Sequence, residues 1–172
     1  MKRLSLVPFA LAVALLIPAV AHAQGQSDID AINRLIDRYG EFEDAMDMVG
    51  QASLISADRV WIAQGAGRRT NQAQNMVIQA AAFDAVKAQV PGIRFFTEDR
   101  DRLIKFHGNG TVAVVSLYRY RTFVLPPDTP SAVADAIAPI QPNALTMVLE
   151  KRGDEWKIVH THFSSLGPPV AN

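Results

Sequence analysis

The sequence contains no cysteine. That excludes disulfide staples, thiol nucleophiles, cysteine-ligated zinc and iron–sulfur clusters, so the fold must hold together by packing. It has no excess of either charge, with 17 Lys and Arg against 17 Asp and Glu. Basic residues gather no further than short pairs such as Arg68-Arg69. Nucleic acid is therefore not an expected partner, since it calls for a clustered basic surface. Also missing are a Gly-rich phosphate loop, a serine elbow, a dinucleotide fingerprint and any internal repeat. No cofactor is implied.

What is present begins with the first residues. Lys2 and Arg3 precede an uncharged run from Leu4 to Val20, and Ala21-His22-Ala23 follows as a small-x-small cleavage site. This is the pattern of a secretory signal peptide over residues 1–23, and it predicts a periplasmic or secreted protein. The run is too short for a span, which needs about 20 apolar residues, so no stable membrane anchor is expected after cleavage. No cysteine stands at the cleavage point to take a lipid. The mature chain, about 150 residues long, fits one domain with a sizeable core. A short lead at 24–27, a domain over 28–165 and a tail over 166–172 complete the expected organisation.

Ser27 and Asp30 resemble a capping box, and Ile29, Ile32, Ile36, Tyr39 and Phe42 recur at helical spacing. They predict a helix from Asp28 to Phe42. A short helix is expected over Glu43 to Gln51, a strand over Arg59 to Ala63 ended by Gly65-Ala66-Gly67, and a long helix over Asn71 to Val90 capped by Thr70. Pro91-Gly92 stops that helix. Beyond it the period becomes extended. Short strands are expected over Arg94 to Thr97 and Arg102 to His107, with the sign-alternating Glu98 to Arg102 as a solvated loop. Gly108-Asn109-Gly110 is a hairpin turn, since Asn-Gly tolerates positive φ. Strands then cover Thr111 to Leu125, Ala144 to Lys151 and Glu155 to Ser164, with a Pro/Ala-rich interruption from Pro126 to Pro142. Helices first and strands second indicate an α+β fold with N-terminal helices packed over the concave face of a strongly curved antiparallel sheet.

The final strand reads Trp156-Lys157-Ile158-Val159-His160-Thr161-His162-Phe163-Ser164. Strict alternation puts Trp156, Ile158, His160, His162 and Ser164 on one face. That face predicts the wall of a pocket with an apolar floor and a polar mouth.

This strand, after the turn at Gly153-Asp154, resembles the end of the nuclear-transport-factor-two-like superfamily, in its SnoaL-like branch. It is also similar to the association domain of calcium/calmodulin-dependent protein kinase II. The helix–helix–strand start with Asp58 before an aromatic strand, and the hairpin around Asn109, fit the same family. The resemblance spans Asp28 to Ser165. It implies a conical α+β barrel, a homodimer, and a pocket used in different branches for isomerisation, cyclisation, hydrolysis or binding. In the kinase branch arginines stand inside the pocket. The expected pairing puts Tyr118 and Met147 near those positions, with Arg119 or Arg121 taking them if the register differs.

The candidate pocket residues are therefore His160, His162, Tyr118, Tyr120, Tyr39 and Trp61. Either histidine suits acid–base work or hydrogen bonding, because its ordinary pKa of about 6.5 lies near working pH. Two histidines at this spacing also suit zinc, but no third protein ligand is marked out. Asp58 is expected to close a turn. The sequence predicts an exported binder of a small, partly apolar molecule. The alternatives are an enzyme abstracting a proton next to a carbonyl, with a histidine base and a tyrosine donor, and a structural dimer. No catalytic residue is assigned.

Overall fold

The computed structural model describes residues 7–63, 67–69, 71–137 and 142–167, with side chains over 25–63, 71–135 and 142–167. The turn residues Gly65 and Ala66, the proposed cap Thr70, the side chains of residues 1–24 and tail residues 168–172 lie outside that set. The elements run α1 (Val7–Asp44), α2 (Met48–Ser53), β1 (Ile55–Ala63), β2 (Gly67–Arg69), α3 (Gln72–Gln89), β3 (Arg94–His107), β4 (Val112–Val124), α4 (Ser131–Ile137), β5 (Asn143–Arg152) and β6 (Glu155–Ser165).

The helical stripe read from the sequence is the buried face of α1: Ile32, Leu35, Ile36 and Tyr39 enter the core. The helix runs through Ser27, which therefore caps nothing, and Gln26 instead bonds Asp30 one turn on at 2.9 Å. The second helix starts later than expected. Met46 takes φ 55°, which breaks the helical path, and Asp47 then caps α2 by accepting from the Gly50 amide at 2.8 Å. Asn71 caps α3 by accepting from the Gln74 amide at 2.7 Å.

The six strands form one open sheet in the order β2-β1-β6-β5-β4-β3. It is mixed, not antiparallel throughout, because β1 pairs parallel to β6. A pairing 100 residues apart in sequence leaves no turn signal to read. The two short strands expected after Pro91-Gly92 are one, β3. Asp101 at φ 53° forms a bulge between Arg100 and Leu103, so the charged stretch is strand and not loop. As read, Asn109 sits at φ 56° in the hairpin to β4.

The main core lies between α1 and the inner faces of β4, β5 and β6. Val115, Leu117, Leu145, Met147, Leu149 and Ile158 pack there against Ile32, Ile36 and Tyr39. Trp156 joins it in a tilted contact with Phe106, at 5.9 Å between ring centroids, and donates its Nε1 to Asp28 at 3.1 Å. A smaller cluster of Val90, Ile93 and Phe95, backed by Phe83 and Phe123, closes the far end of α3. Phe83 of this cluster also borders a group of polar side chains, Glu43, Arg119 and Arg121.

Candidate functional site

The site is set by a single extra residue in β6. Ile158 pairs with Leu149, and His160 pairs with the preceding Val148, so Val159 is a bulge. Before it, Trp156 and Ile158 point inward. After it, the inward residues are Thr161, fully buried, and Phe163. His160 and His162 pass to the outer face, where His162 is exposed and its Nε2 lies 3.4 Å from the Ser164 hydroxyl. The two histidines are therefore not on the inner face that Trp156 and Ile158 share, because alternation does not survive a one-residue insertion, and His162 instead borders an outer groove of about 310 Å³ with Ile62, Phe163 and Ser164.

His160 is half-buried, and its pKa is lowered, first by desolvation and then by the neighbouring charges of His162 and Arg59. The folded state therefore holds this proton less tightly than the unfolded chain. The contribution to stability is complete above the ordinary value near 6.5 and is lost as the pH falls through the lower folded value. The melting temperature is expected to drop between pH 7 and pH 5, and to drop less in His160→Gln. Parallel curves for the two proteins would remove His160 as a cause.

Strand β4 alternates cleanly. Ala113, Val115, Leu117 and Arg119 are buried. Tyr118, at 41% exposure, and Tyr120 face the opposite way, and Arg100 covers the Tyr120 ring at 4.6 Å. Neither tyrosine lines the interior, and the arginine alternative is the one realised.

Arg119, 1% exposed, is the centre of a buried ionic cluster. Its Nη1 donates to Glu43 at 3.0 Å, while Nε and Nη2 donate to the two oxygens of Asp99, each at 2.8 Å. Arg121 donates to the other Glu43 oxygen. Burial alone would lower the pKa of Arg119, but the bonds and charges of Asp99 and Glu43 outweigh it and raise the pKa. The guanidinium stays charged at any relevant pH.

Tyr39 stands between two arginines. Arg119 lies 5.2 Å and Arg59 5.8 Å from its ring centroid. Arg59 donates to the Tyr39 hydroxyl at 3.2 Å and to the Thr161 hydroxyl at 3.1 Å.

A cavity of about 280 Å³ opens above this cluster. Trp61, Ala63, Ala82, Phe83 and Phe163 make its apolar side; Glu43, Gln79, Arg119, Arg121 and Asn143 make its polar side. Trp61 Nε1, Gln79 Oε1 and Arg121 Nε are buried with no hydrogen-bond partner among the described residues. A larger groove of about 450 Å³ lies at the opposite end, between α1 and the β5–β6 turn, around Arg34, Arg38 and Lys157. It is a surface feature, where Lys157 is already paired with Glu155 at 2.9 Å.

Of the residues singled out from sequence, Trp61 lines the cavity and Tyr39 is buried beside it, held by Arg59. His160, His162, Tyr118 and Tyr120 lie on the outer face. Asp58 accepts from Ser56 and pairs with Arg152 at 3.2 Å, a surface role. Sequence reasoning missed Glu43, Arg59, Gln79, Phe83 and Phe163. Glu43 had a readable signal, since it stands four residues after Tyr39 on the buried stripe of α1.

The family model for the SnoaL-like domain matches residues 32–168. No curated protein matches the chain. Among solved structures, a candidate scytalone dehydratase from Novosphingobium aromaticivorans is similar at 13% identity, TM-score 0.63, over 83% of this chain and 86% of its own. An NTF2-like protein with a cystatin-like fold from the same organism is similar at 16% identity, TM-score 0.62, over 98% of this chain and 95% of its own. An NTF2-like superfamily protein from Salmonella enterica serovar Typhimurium is similar at 17% identity, TM-score 0.63, over 86% and 99%. At these identities the likeness is one of fold.

Proposed function

Because the chain belongs to the SnoaL-like family, we propose that it is an exported protein that binds a small, partly apolar molecule in the cavity beside Trp61. The observation that carries this reading is the two-sided lining of that cavity, with Trp61, Phe83 and Phe163 on its apolar side and Gln79, Arg121 and Asn143 on its polar side. Such a lining matches a ligand with an apolar body and a few polar atoms.

Proton abstraction is the weaker reading. The cavity carboxylate, Glu43, is bonded to both Arg119 and Arg121 and would have to leave two guanidiniums to act as a base. The two histidines stand on the other face. A homodimer belongs to the same proposal: that outer face carries the cross-strand pair Val114 and Val148 and, four residues along β4, the exposed Tyr118 opposite Ala144.

Native mass spectrometry of the protein purified from its source compartment tests ligand and oligomer together. The expected species starts at Gln24, is dimeric and carries a small molecule. Trp61→Ala is expected to reduce occupancy several-fold. Retention of residues 1–23 would remove the export claim, and unchanged occupancy in Trp61→Ala would remove the cavity.

A further inference from the structure

The bulge at Val159 leaves two imidazoles outside the cavity and side by side. His160, His162 and Ser164 follow it at alternate positions of β6, on the outer face of the sheet. His162 is exposed and borders the groove of about 310 Å³ that Ile62 and Ser164 also line. His160 is half-buried beside it. Val60 and Val148 flank His160 in the sheet, and Ile62 and Thr146 flank His162, so the walls around the pair carry no charge.

Cα atoms two residues apart on a strand are separated by about 6.5–7 Å. Imidazoles at that spacing on one face reach a metal ion held between them, at about 2 Å from one nitrogen of each. The charge of the His162 ring acts on His160, so the rings are neighbours in space as well as in sequence. The Ser164 hydroxyl lies 3.4 Å from His162 Nε2. A ligating histidine commonly gives its other ring N–H to an oxygen of this kind, which steadies the ring. With Nε2 as that donor, Nδ1 is the nitrogen left for a metal.

The donor set decides which metal fits. Among the described residues no third His, Asp or Glu stands close enough to make a group of three. Zinc sites take at least three protein ligands. Calcium and magnesium require oxygen ligands. Cu(II) heads the affinity order of the divalent series, suits imidazole, and accepts a tetragonal set of nitrogen and oxygen donors in which water fills the other positions. We propose that His160 and His162 chelate Cu(II) on the outer face of β6, with solvent in the groove beside His162 completing the coordination. The site is separate from the cavity at Trp61, and neither reading depends on the other.

The test uses the mature protein, first stripped with a chelator, and Cu(II), Zn(II) and Mg(II) salts, read by calorimetry. About one Cu(II) per chain is expected, bound at least tenfold more tightly than Zn(II), with no heat from Mg(II). Electron paramagnetic resonance of the copper form is expected to show an axial spectrum split by two imidazole nitrogens. His162→Gln, a change at an exposed position, is expected to weaken binding at least tenfold and to remove one nitrogen from the spectrum. His107→Gln, at the other histidine that follows Ala23, is expected to change neither. In the wild-type protein, substoichiometric Cu(II) is expected to broaden the ring NMR signals of His160 and His162 before that of His107, a readout that needs no variant to fold. Unchanged affinity in His162→Gln, or His107 broadened first, would mean an adventitious ion only. One copper per two chains would overturn the single-chain chelate. Zn(II) bound as tightly as Cu(II) would overturn the choice of metal.

Discussion

Arg119→Met is expected to lower the unfolding free energy by about 3–5 kcal/mol, the range seen when one partner of a buried ion pair is removed. The residue makes three charge-assisted hydrogen bonds at 2.8–3.0 Å with 1% of its surface exposed. Methionine fills a similar volume, so the loss is electrostatic and not a cavity. Asp99 keeps Arg102 at 3.5 Å, a long contact, and Glu43 keeps Arg121. Both carboxylates are left under-compensated in the interior. Urea unfolding is the measurement: the midpoint is expected to fall with an unchanged m-value. Adding Asp99→Asn and Glu43→Gln to Arg119→Met is expected to recover part of the loss, because neutral amides are cheaper to bury than unpaired carboxylates. A loss below about 1 kcal/mol in the single variant would place the cluster in the range of exposed pairs and contradict its burial.

The ionic cluster also shows what kind of information the sequence carries. Most of its residues lie on elements whose existence is readable: Arg119 and Arg121 on a long alternating strand, and Glu43 on an expected helix, one turn after Tyr39, while Asp99 lies in a charged stretch that reads as loop and folds as strand. The α+β order, the Asn109 hairpin and the long third helix are legible for the same reason, since their signals are local. The faces are less legible. In β4 alternation holds, but which of Tyr118 or Arg119 points inward depends on packing against α1, where Glu43 waits. In β3 and β6 alternation fails at bulges, and Asp101 and Val159 carry no local mark that distinguishes them from their neighbours. Arg59 is hidden twice over: β1 pairs parallel with a strand about 100 residues away, with its own irregularity between Ile55 and Val60. The misplacement of His160 and His162 follows from one bulge, and the arrival of Thr161 to bond Arg59 follows from the same one.

That dependence can be tested by deleting Val159. Removing the bulge restores strict alternation, so every residue from His160 onward must either turn to the opposite face or slip one position against β5 and β1. If the faces turn, His160 and His162 enter the interior beside Arg59, and Phe163 leaves the cavity for solvent. Two imidazoles would then be desolvated next to the Arg59 guanidinium, and Arg59 would lose its Thr161 bond. If the strand slips instead, the ladder from Val148–His160 to Asn143–Ser165 must re-pair. Either route is expected to cost more than 4 kcal/mol, the range tied to a named structural failure and not to ordinary surface change. Val159→Ala, which keeps the residue count, is expected to cost less than about 1.5 kcal/mol, as for trimming a partly buried β-branched side chain. Thermal unfolding followed by tryptophan fluorescence compares the two, since Trp61 lies beside the turned segment and Trp156 before it. A deletion variant as stable as Val159→Ala would mean that the bulge does not hold the face assignment of β6, and the inward placement of Thr161 and Phe163 would fall with it.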